Sequence, residues 1–180
     1  ALWSYKSGGK SQMPITIRTI VGKGWGQGPQ HSKSLHSWFA HLPGLSVVYP
    51  SSPYEAKGLM LSSIFSNSPT IFFESRALHS MKEEVPTTPY FLDPTKAFVR
   101  NKGKDLTIVS FGPSVKNAIE VSHLLKLQKN ISCEIIDLRS VNPIDENTVI
   151  NSVKKTKNLC LIEHGWPNAS ISSEIISIVS

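Results

Sequence analysis

The chain has 180 residues, of which 19 are basic and 13 acidic, and its formal net charge is +6 at pH 7. A chain of this length can bury a hydrophobic core without disulfide or metal cross-links. It contains no apolar stretch long enough to cross a bilayer, and residues 1–10 lack the apolar segment of a signal peptide. We therefore expect neither a transmembrane helix nor a membrane partner.

The basic residues are scattered, and their tightest cluster, at 154–157, is typical of a solvated helix end. Aromatic residues do not alternate with the basic ones, so the pattern lacks the features of a single-stranded nucleic-acid site. We expect no nucleic-acid partner.

The two cysteines, Cys133 and Cys160, lie inside apolar runs and are predicted to be buried core thiols. Their separation fits neither a metal site nor a disulfide framework. A reducing compartment is therefore expected, which is the cytoplasm or, in a eukaryote, the mitochondrial matrix.

Strands and helices alternate in the first half of the chain. Apolar and β-branched residues predict a short helix at 34–40 and three strands, at 14–21, 45–49 and 70–74. A second helix is predicted from Ser52 to about Asn67, because Ser52 can cap it, Pro53 suits its first position and Glu55 can complete a capping box. The third strand shows little alternation, so both of its faces are expected to be buried.

The pattern restarts after a proline-containing segment at 81–95, which is predicted to be a linker. Strands are predicted at 106–111, 133–138 and 158–163. One helix opens at Pro113 and carries on one face Val115, Ala118, Ile119, Ser122 and Leu125. A second runs from Pro143 to about Lys155, and a third carries Ile171, Ile175, Ile176 and Val179. This alternation implies parallel sheets with right-handed crossovers. The predicted fold class is therefore α/β, with two three-layer parallel-sheet units.

Four alternating glycines follow the first strand, between Gly22 and Gly28. Glycine allows the backbone to approach a ligand closely, although a flexible loop is the more common outcome of such a composition. The spacing does not match the dinucleotide-binding fingerprint. His31 follows directly, at the carboxyl side of a strand, where an imidazole could act as an acid or base near neutral pH. A structural or surface role for His31 stays open.

Other polar candidates carry weaker signals. The six histidines show no metal-ligand spacing, and no nucleophile elbow supports acyl hydrolysis. Asp137 and Arg139 follow a strand, where they could bind a ligand or form an ion pair that holds an interface. The turn at 163–167 is predicted to be structural, with Trp166 packed against its surroundings.

Motifs across nearly the whole chain together resemble the β subunit of the thiamine-diphosphate-dependent first component of 2-oxo acid dehydrogenase complexes, the pyruvate dehydrogenase type. The motifs are, in order, Ile17-Arg18-Thr19, Gln30-His31-Ser32, His41-Leu42-Pro43-Gly44-Leu45, Val47-Val48-Tyr49-Pro50, Glu55-Ala56-Lys57-Gly58-Leu59, Asp137-Leu138-Arg139-Ser140, Pro143-Ile144-Asp145 and Glu163-His164-Gly165-Trp166-Pro167.

The resemblance implies that residues 1–80 are the C-terminal half of a pyrimidine-binding domain, residues 81–95 a linker, and residues 96–180 a transketolase C-terminal-like domain that is truncated at its end. It implies thiamine diphosphate as a cofactor shared with a partner α subunit, which holds magnesium. The family glutamate that activates the cofactor lies upstream of everything present here. The chain is therefore expected to be inactive alone.

The resemblance gives His31 a role in proton transfer during acyl transfer to lipoamide and places Gln30 beside the cofactor. It also implies a potassium site made by five backbone carbonyls, those of Ile15, Ser63, Ile64, Ser66 and Ser68. The family commonly has Asp and Asn where this chain has Ser66 and Ser68. The expected partners are an α subunit and a second β subunit in a heterotetramer, together with a lipoyl-bearing acyltransferase.

Three alternatives stay open: a transketolase or 1-deoxyxylulose-phosphate synthase, a non-catalytic assembly remnant, and an α/β nucleotide-binding protein. The Asp-Leu-Arg and Gly-Trp-Pro motifs in combination favour the dehydrogenase. Pyruvate, branched-chain 2-oxo acids and acetoin all remain candidate substrates, and the segment 79–84 is expected to influence that choice.

Overall fold

Two four-stranded sheets organise the molecule, and the computed structural model describes residues 1–22 and 28–180. In chain order the strands are β1 (Thr16–Val21), β2 (Ser46–Val48), β3 (Thr70–Ser75), β4 (Phe98–Asn101), β5 (Leu106–Ser110), β6 (Cys133–Asp137), β7 (Ser140–Asn142) and β8 (Leu159–Ile162). The first sheet has the order β1-β3-β2-β7 and the second the order β4-β6-β5-β8. Because β1, β2 and β3 are mutually parallel, as are β5, β6 and β8, the predicted α/β fold with two mainly parallel sheets is confirmed.

Each sheet also contains an antiparallel edge strand that the sequence pattern does not predict. β4 pairs with β6 in the second sheet. β7 begins only three residues after β6 ends, yet it pairs with β2, so that Val48 lies opposite Ser140. The second half of the chain therefore completes the first sheet.

Six helices connect and cover the strands: α1 (Trp3–Lys6), α2 (His36–Ala40), α3 (Pro53–Ile64), α4 (Ser114–Lys129), α5 (Glu146–Thr156) and α6 (Ile171–Val179). Ser52 caps α3 as predicted, since its Oγ accepts the N–H of Glu55 at 3.3 Å. Asp145 caps α5 by accepting the N–H of Thr148 at 3.3 Å, which places the start of that helix after Pro143. Within the described residues, no helix is both long enough and apolar enough to cross a membrane.

One hydrophobic core joins the two sheets. Phe73 of the first sheet packs in the same cluster as Val109 and Ile136 of the second. The ring of Tyr49 lies against Gly112, where an added Cβ would be 2.8 Å from Tyr49 Cδ2. Gly112 also has a φ of +53°, so any side chain here would be both strained and in collision. The contact between the sheets therefore depends on this glycine.

The buried faces of two helices differ from the prediction. Ile119 and Ile176, both expected on inner faces, are 48% and 53% exposed. Val115, Ala118 and Ser122 are buried in α4 as predicted, and so are Ile171 and Ile175 in α6. A one-residue step turns a helix by about 100°, so each isoleucine lies to the side of the contact.

The prediction for Trp166 is wrong, because this side chain is 79% exposed. Gly165 makes the contacts of its turn instead: a Cβ at this position would lie 2.7 Å from Glu163 Oε1.

Cys133 is buried as predicted, whereas Cys160 is only partly buried. All residues of β3 except Glu74 are buried, which confirms that both faces of this strand are covered.

The predicted linker contains no helix or strand, but it is packed against α3. The rings of Tyr54 and Tyr90 stack at 4.6 Å, and the Tyr90 hydroxyl donates to the Tyr54 carbonyl at 2.7 Å. The Lys57 ammonium donates to the carbonyls of residues 86–88. Gly58 accepts the N–H of Leu92 at 3.3 Å. The segment 81–95 is therefore held in place along α3.

Gly58→Ala tests this packing. In an isolated helix, alanine would stabilise by about 1 kcal/mol over glycine. Here the added Cβ would lie 2.6 Å from Leu92 Cγ and 2.7 Å from Tyr90 Cε2, so we expect a net loss of roughly 1–3 kcal/mol in the free energy of unfolding. Denaturant unfolding measures this change. In the Leu92→Ala background the loss should be smaller, and a stabilised Gly58→Ala protein would contradict the observed packing.

Candidate active site

The parallel strands of the first sheet present their carboxyl ends together, and ligands of α/β proteins usually bind at this edge. β1, β2 and β3 end at Val21, Val48 and Ser75. The loop after β1 returns to this edge, where Gly22 N donates to the Lys33 carbonyl at 3.4 Å. Residues 23–27 of the predicted glycine loop lie outside the described residues.

His31 is the last residue of a short 3-10 helix, Pro29–His31, that follows this loop. Its backbone N–H donates to the Gly28 carbonyl at 3.3 Å, and Ser32 Oγ donates to the same carbonyl at 2.8 Å. The side chains of His31 and Gln30 are both exposed. Neither is buried in a core, and their assignments as catalytic and cofactor-binding residues stay predictions.

A surface cluster of charged groups lies beside the end of β3. Arg18 donates to both oxygens of Glu74, at 2.6 and 3.1 Å, and Glu74 raises the pKa of Arg18 through this bond. His79 Nε2 is 3.6 Å from Glu74 Oε2, so the segment 79–84 begins in contact with this cluster. Exposed ion pairs contribute little stability. The contacts with Arg18 and His79 orient the Glu74 carboxylate.

A buried ionic network, which we call the junction network, connects the two sheets near the same edge. Its members are Ser51, Glu55, Arg100, Asp137 and Arg139. Glu55 Oε1 is 2.6 Å from Arg100 Nη2 and 2.9 Å from Arg139 Nε, and Arg100 Nη2 is 3.0 Å from Asp137 Oδ2. Of the two interpretations of Arg139, the structure supports the ion pair that holds an interface.

The pKa values of the two carboxyl groups in this network are shifted in opposite directions. Burial alone would raise the pKa of Glu55, but Arg100 and Arg139 hold it below its ordinary value. Burial and the neighbouring Glu55 charge raise the pKa of Asp137 to about 7. Ser51 Oγ lies 2.5 Å from Asp137 Oδ2 and 3.0 Å from Glu55 Oε2. The Ser51 hydroxyl can donate to either carboxyl group, and it accepts from Arg100 Nη2 at 2.8 Å, so it links both groups to this arginine.

Glu163 makes a second polar connection between the two halves. Its Oε1 lies 3.3 Å from Nε2 of the buried His36, and its Oε2 accepts the N–H and the hydroxyl of Ser172. Burial would raise the pKa of Glu163, but the hydrogen bonds from His36 and Ser172 hold it below its ordinary value. The turn at 163–167 is thus structural, as predicted, and its key side chain is Glu163.

The predicted potassium carbonyls lie at the opposite, amino edge of the first sheet, where β1, β3 and the last turn of α3 meet. Thr70 N donates to the Ile15 carbonyl at 2.8 Å, and Thr16 Oγ1 donates to the Ser63 carbonyl at 2.9 Å. The Ser63 carbonyl also accepts the N–H of Ser66 at 3.2 Å. The C-terminal end of a helix favours positive charge, and the assignment of these carbonyls as potassium ligands stays a prediction.

Metal sites in proteins are commonly built from acidic, histidine and cysteine side chains. Within residues 1–22 and 28–180, no group of three or more such side chains has the arrangement to hold an ion.

Two family models match this chain. The model of the transketolase pyrimidine binding domain matches residues 1–81, and the model of the transketolase C-terminal domain matches residues 95–180. The chain belongs to the transketolase-like family. β7 is therefore a strand of the C-terminal domain that completes the sheet of the pyrimidine-binding domain, and the junction network connects these two domains.

Curated relatives of this transketolase-like chain are β subunits. The acetoin:2,6-dichlorophenolindophenol oxidoreductase subunit beta of Bacillus subtilis is 40% identical over 180 residues, which are 100% of this chain and 52% of that protein. The pyruvate dehydrogenase E1 component subunit beta of Rickettsia felis is 39% identical over 175 residues, 97% of this chain and 53% of that protein. The resemblance to these β subunits is confirmed, and the chain spans about half the length of the relatives it matches.

Solved structures of low sequence identity share the fold. An inactive β4 tetramer of a split-gene transketolase has a TM-score of 0.79 at 20% identity, over 93% of this chain and 54% of that one. A transketolase from Pichia stipitis has a TM-score of 0.65 at 19% identity, over 93% of this chain and 26% of that one. At these identities the likeness shows the fold alone.

Asp137→Asn tests the protonation of the junction network. Because folding raises the pKa of Asp137 from 3.8 to about 7, the folded state keeps a proton that the unfolded state releases between these values. Stability from this residue is therefore present at low pH and lost as pH rises from about 4 to about 7, with a slope of up to about 1.4 kcal/mol per pH unit. We expect the variant to lack this decline when unfolding free energies are compared across pH. An unchanged slope would show that Asp137 does not titrate in this window.

Proposed function

We propose that this chain is part of the β subunit of a thiamine-diphosphate-dependent 2-oxo acid dehydrogenase, which decarboxylates a 2-oxo acid and passes the acyl group to lipoamide. The identities of 37–40% to acetoin-oxidising and pyruvate dehydrogenase β subunits support this function. The observation that carries the proposal is the exposed His31 at the carboxyl edge of the first sheet. An exposed imidazole at this edge would be accessible to a cofactor and to a neighbouring subunit.

The residues of this chain fit one side of a shared cofactor site. His31 would exchange a proton during acyl transfer to lipoamide, and Gln30, its neighbour in the same 3-10 helix, would contact the cofactor. When bound, thiamine diphosphate supplies the electron sink that decarboxylation needs. The proposal assigns its diphosphate and magnesium to a partner α subunit, and the activating glutamate to the part of the β subunit upstream of this segment.

The proposed assembly is a heterotetramer of two α and two β subunits that delivers acyl groups to a lipoyl-bearing acyltransferase. Within this chain, we propose a partial pyrimidine-binding domain at 1–80, a connecting segment at 81–95 and a C-terminal domain at 96–180. The free thiols of Cys133 and Cys160 are compatible with the proposed location in the cytoplasm, or in the mitochondrial matrix of a eukaryote.

A non-catalytic assembly role is the second candidate. The interactions that connect the two domains favour this role. A segment whose domains are joined by a buried ionic network can serve as a scaffold without catalysing a reaction. The two functions differ in whether His31 is needed for turnover. Because the segment would supply only one side of the cofactor site, we propose that it has no decarboxylase activity alone.

His31→Ala in the complete β subunit, assembled with its α subunit, decides between these functions. We expect acyl transfer to a lipoyl domain to fall by about 100-fold or more, the usual contribution of a general acid or base. The thermal unfolding midpoint should not change, because the side chain is exposed. His41→Ala, at an exposed histidine directly after α2, is the matched control. Equal transfer rates for the wild type and His31→Ala would remove His31 from the reaction.

We also propose that potassium binds the carbonyls of Ile15, Ser63, Ile64, Ser66 and Ser68 as a structural ion. The convergence of β1, β3 and the last turn of α3 supports this site. The ion would join the amino edge of the sheet to the end of α3, and would thereby stabilise the domain that presents His31.

Replacing sodium by potassium at constant ionic strength should raise the unfolding midpoint of the complete subunit by a few degrees, because a ligand that binds the folded state stabilises it. Thr16→Val removes the hydrogen bond to the Ser63 carbonyl and should weaken the potassium effect. Identical midpoints in the two salts would exclude the site.

A further inference from the structure

The loop that carries His31 lies between two buried side chains. Val21, the last residue of β1, is buried. After it, His36 is the first buried side chain among the described residues, since residues 28–35 are exposed or partly exposed. The hydrogen bond between Gly22 and Lys33 is long, at 3.4 Å. Within residues 28–36, His36 is therefore the side chain that is anchored in the core.

His36 lies in an aromatic cage that both domains form. Its ring centroid is 5.0 Å from that of Phe111, 6.1 Å from that of Tyr49 and 6.4 Å from that of Phe73. An aromatic ring of another kind would satisfy these contacts as well. The imidazole adds the bond from Nε2 to Glu163 Oε1, at 3.3 Å.

Glu163 is itself fixed by the C-terminal domain. Ser172, in the first turn of α6, donates its N–H at 2.7 Å and its hydroxyl at 2.5 Å to Oε2, which leaves Oε1 directed at His36. Nδ1 of His36 is buried with no hydrogen-bond partner among the described residues. The bond to Glu163 is thus the polar interaction that orients this ring.

We propose that His36 is a positioning residue for His31: through Glu163, the C-terminal domain holds the end of the loop that presents the proposed catalytic imidazole. This inference rests on the proposed function of His31. Four residues, Ser32 to Leu35, separate the two histidines, so a displaced His36 shifts the backbone of His31. Small displacements of a catalytic group are costly for rate.

His36→Phe in the complete enzyme tests the inference, because phenylalanine keeps the ring in its cage and removes the bond to Glu163. We expect acyl transfer to a lipoyl domain to fall about 10-fold or more, with the KM for the 2-oxo acid unchanged. Reduction of 2,6-dichlorophenolindophenol, which does not require lipoamide, should stay within about two-fold of the wild type. His36→Gln can still donate to Glu163 and should recover most of the transfer rate. His41→Phe is the matched control.

The double variant His31→Ala/His36→Phe should be no slower than His31→Ala, because two residues that act through one group are not additive. If His31→Ala lowers transfer and His36→Phe does not, the inference is wrong and the proposed function stands. If neither variant lowers transfer, both the inference about His36 and the proposed role of His31 are wrong. If His36→Phe fails to fold, Glu163→Gln can be used in the same assays, because this variant leaves the aromatic cage unchanged. An equal loss in the lipoamide and dye assays would indicate a purely structural role and overturn the proposal.

Discussion

Two arginines bond to two carboxyl groups that are fully enclosed where the sheets meet, and this network fixes how the two domains sit together. Glu55 and Asp137 are both 0% exposed. A charge buried without its partner costs several kcal/mol, so the domains cannot separate without rehydrating the whole network. Glu55 belongs to α3 and Asp137 to the end of β6. The network therefore lies between helix and strand ends at the carboxyl edges of the two sheets.

The local parts of this fold could be predicted from the sequence because they depend on neighbouring residues. The cap of α3 needs Ser52 and the N–H of Glu55, three positions apart, and both the pattern and the structure contain it. The carboxylate of Glu55 shows the limit of such reasoning. A capping box explains an acidic residue at this position, yet its carboxylate pairs with Arg139, 84 residues away. No local pattern contains a contact of that separation.

The same distinction applies to the candidate site. A histidine that follows a strand and a glycine loop must come near the carboxyl edge of a parallel sheet, so the placement of His31 follows from local elements. His36 gives no such signal, because its partner Glu163 comes from another domain. The prediction for Trp166 failed for a related reason. Apolar character favours burial, but Gly165 lies against His36 of the other domain, where an added Cβ would be 3.2 Å from Cε1, and this contact determines which side of the turn faces the protein.

The C-terminal domain holds α2 at both ends, and this explains how a domain without the proposed catalytic imidazole can affect its position. Glu163 bonds to His36 at the start of the helix. At its end, Asn142 of β7 donates to the Ala40 carbonyl at 3.2 Å and to the Leu45 carbonyl at 2.8 Å. A helix of five residues is too short to be stable by itself. Its orientation is therefore set by the domain that contacts it, and the loop with His31 enters the helix from this fixed end.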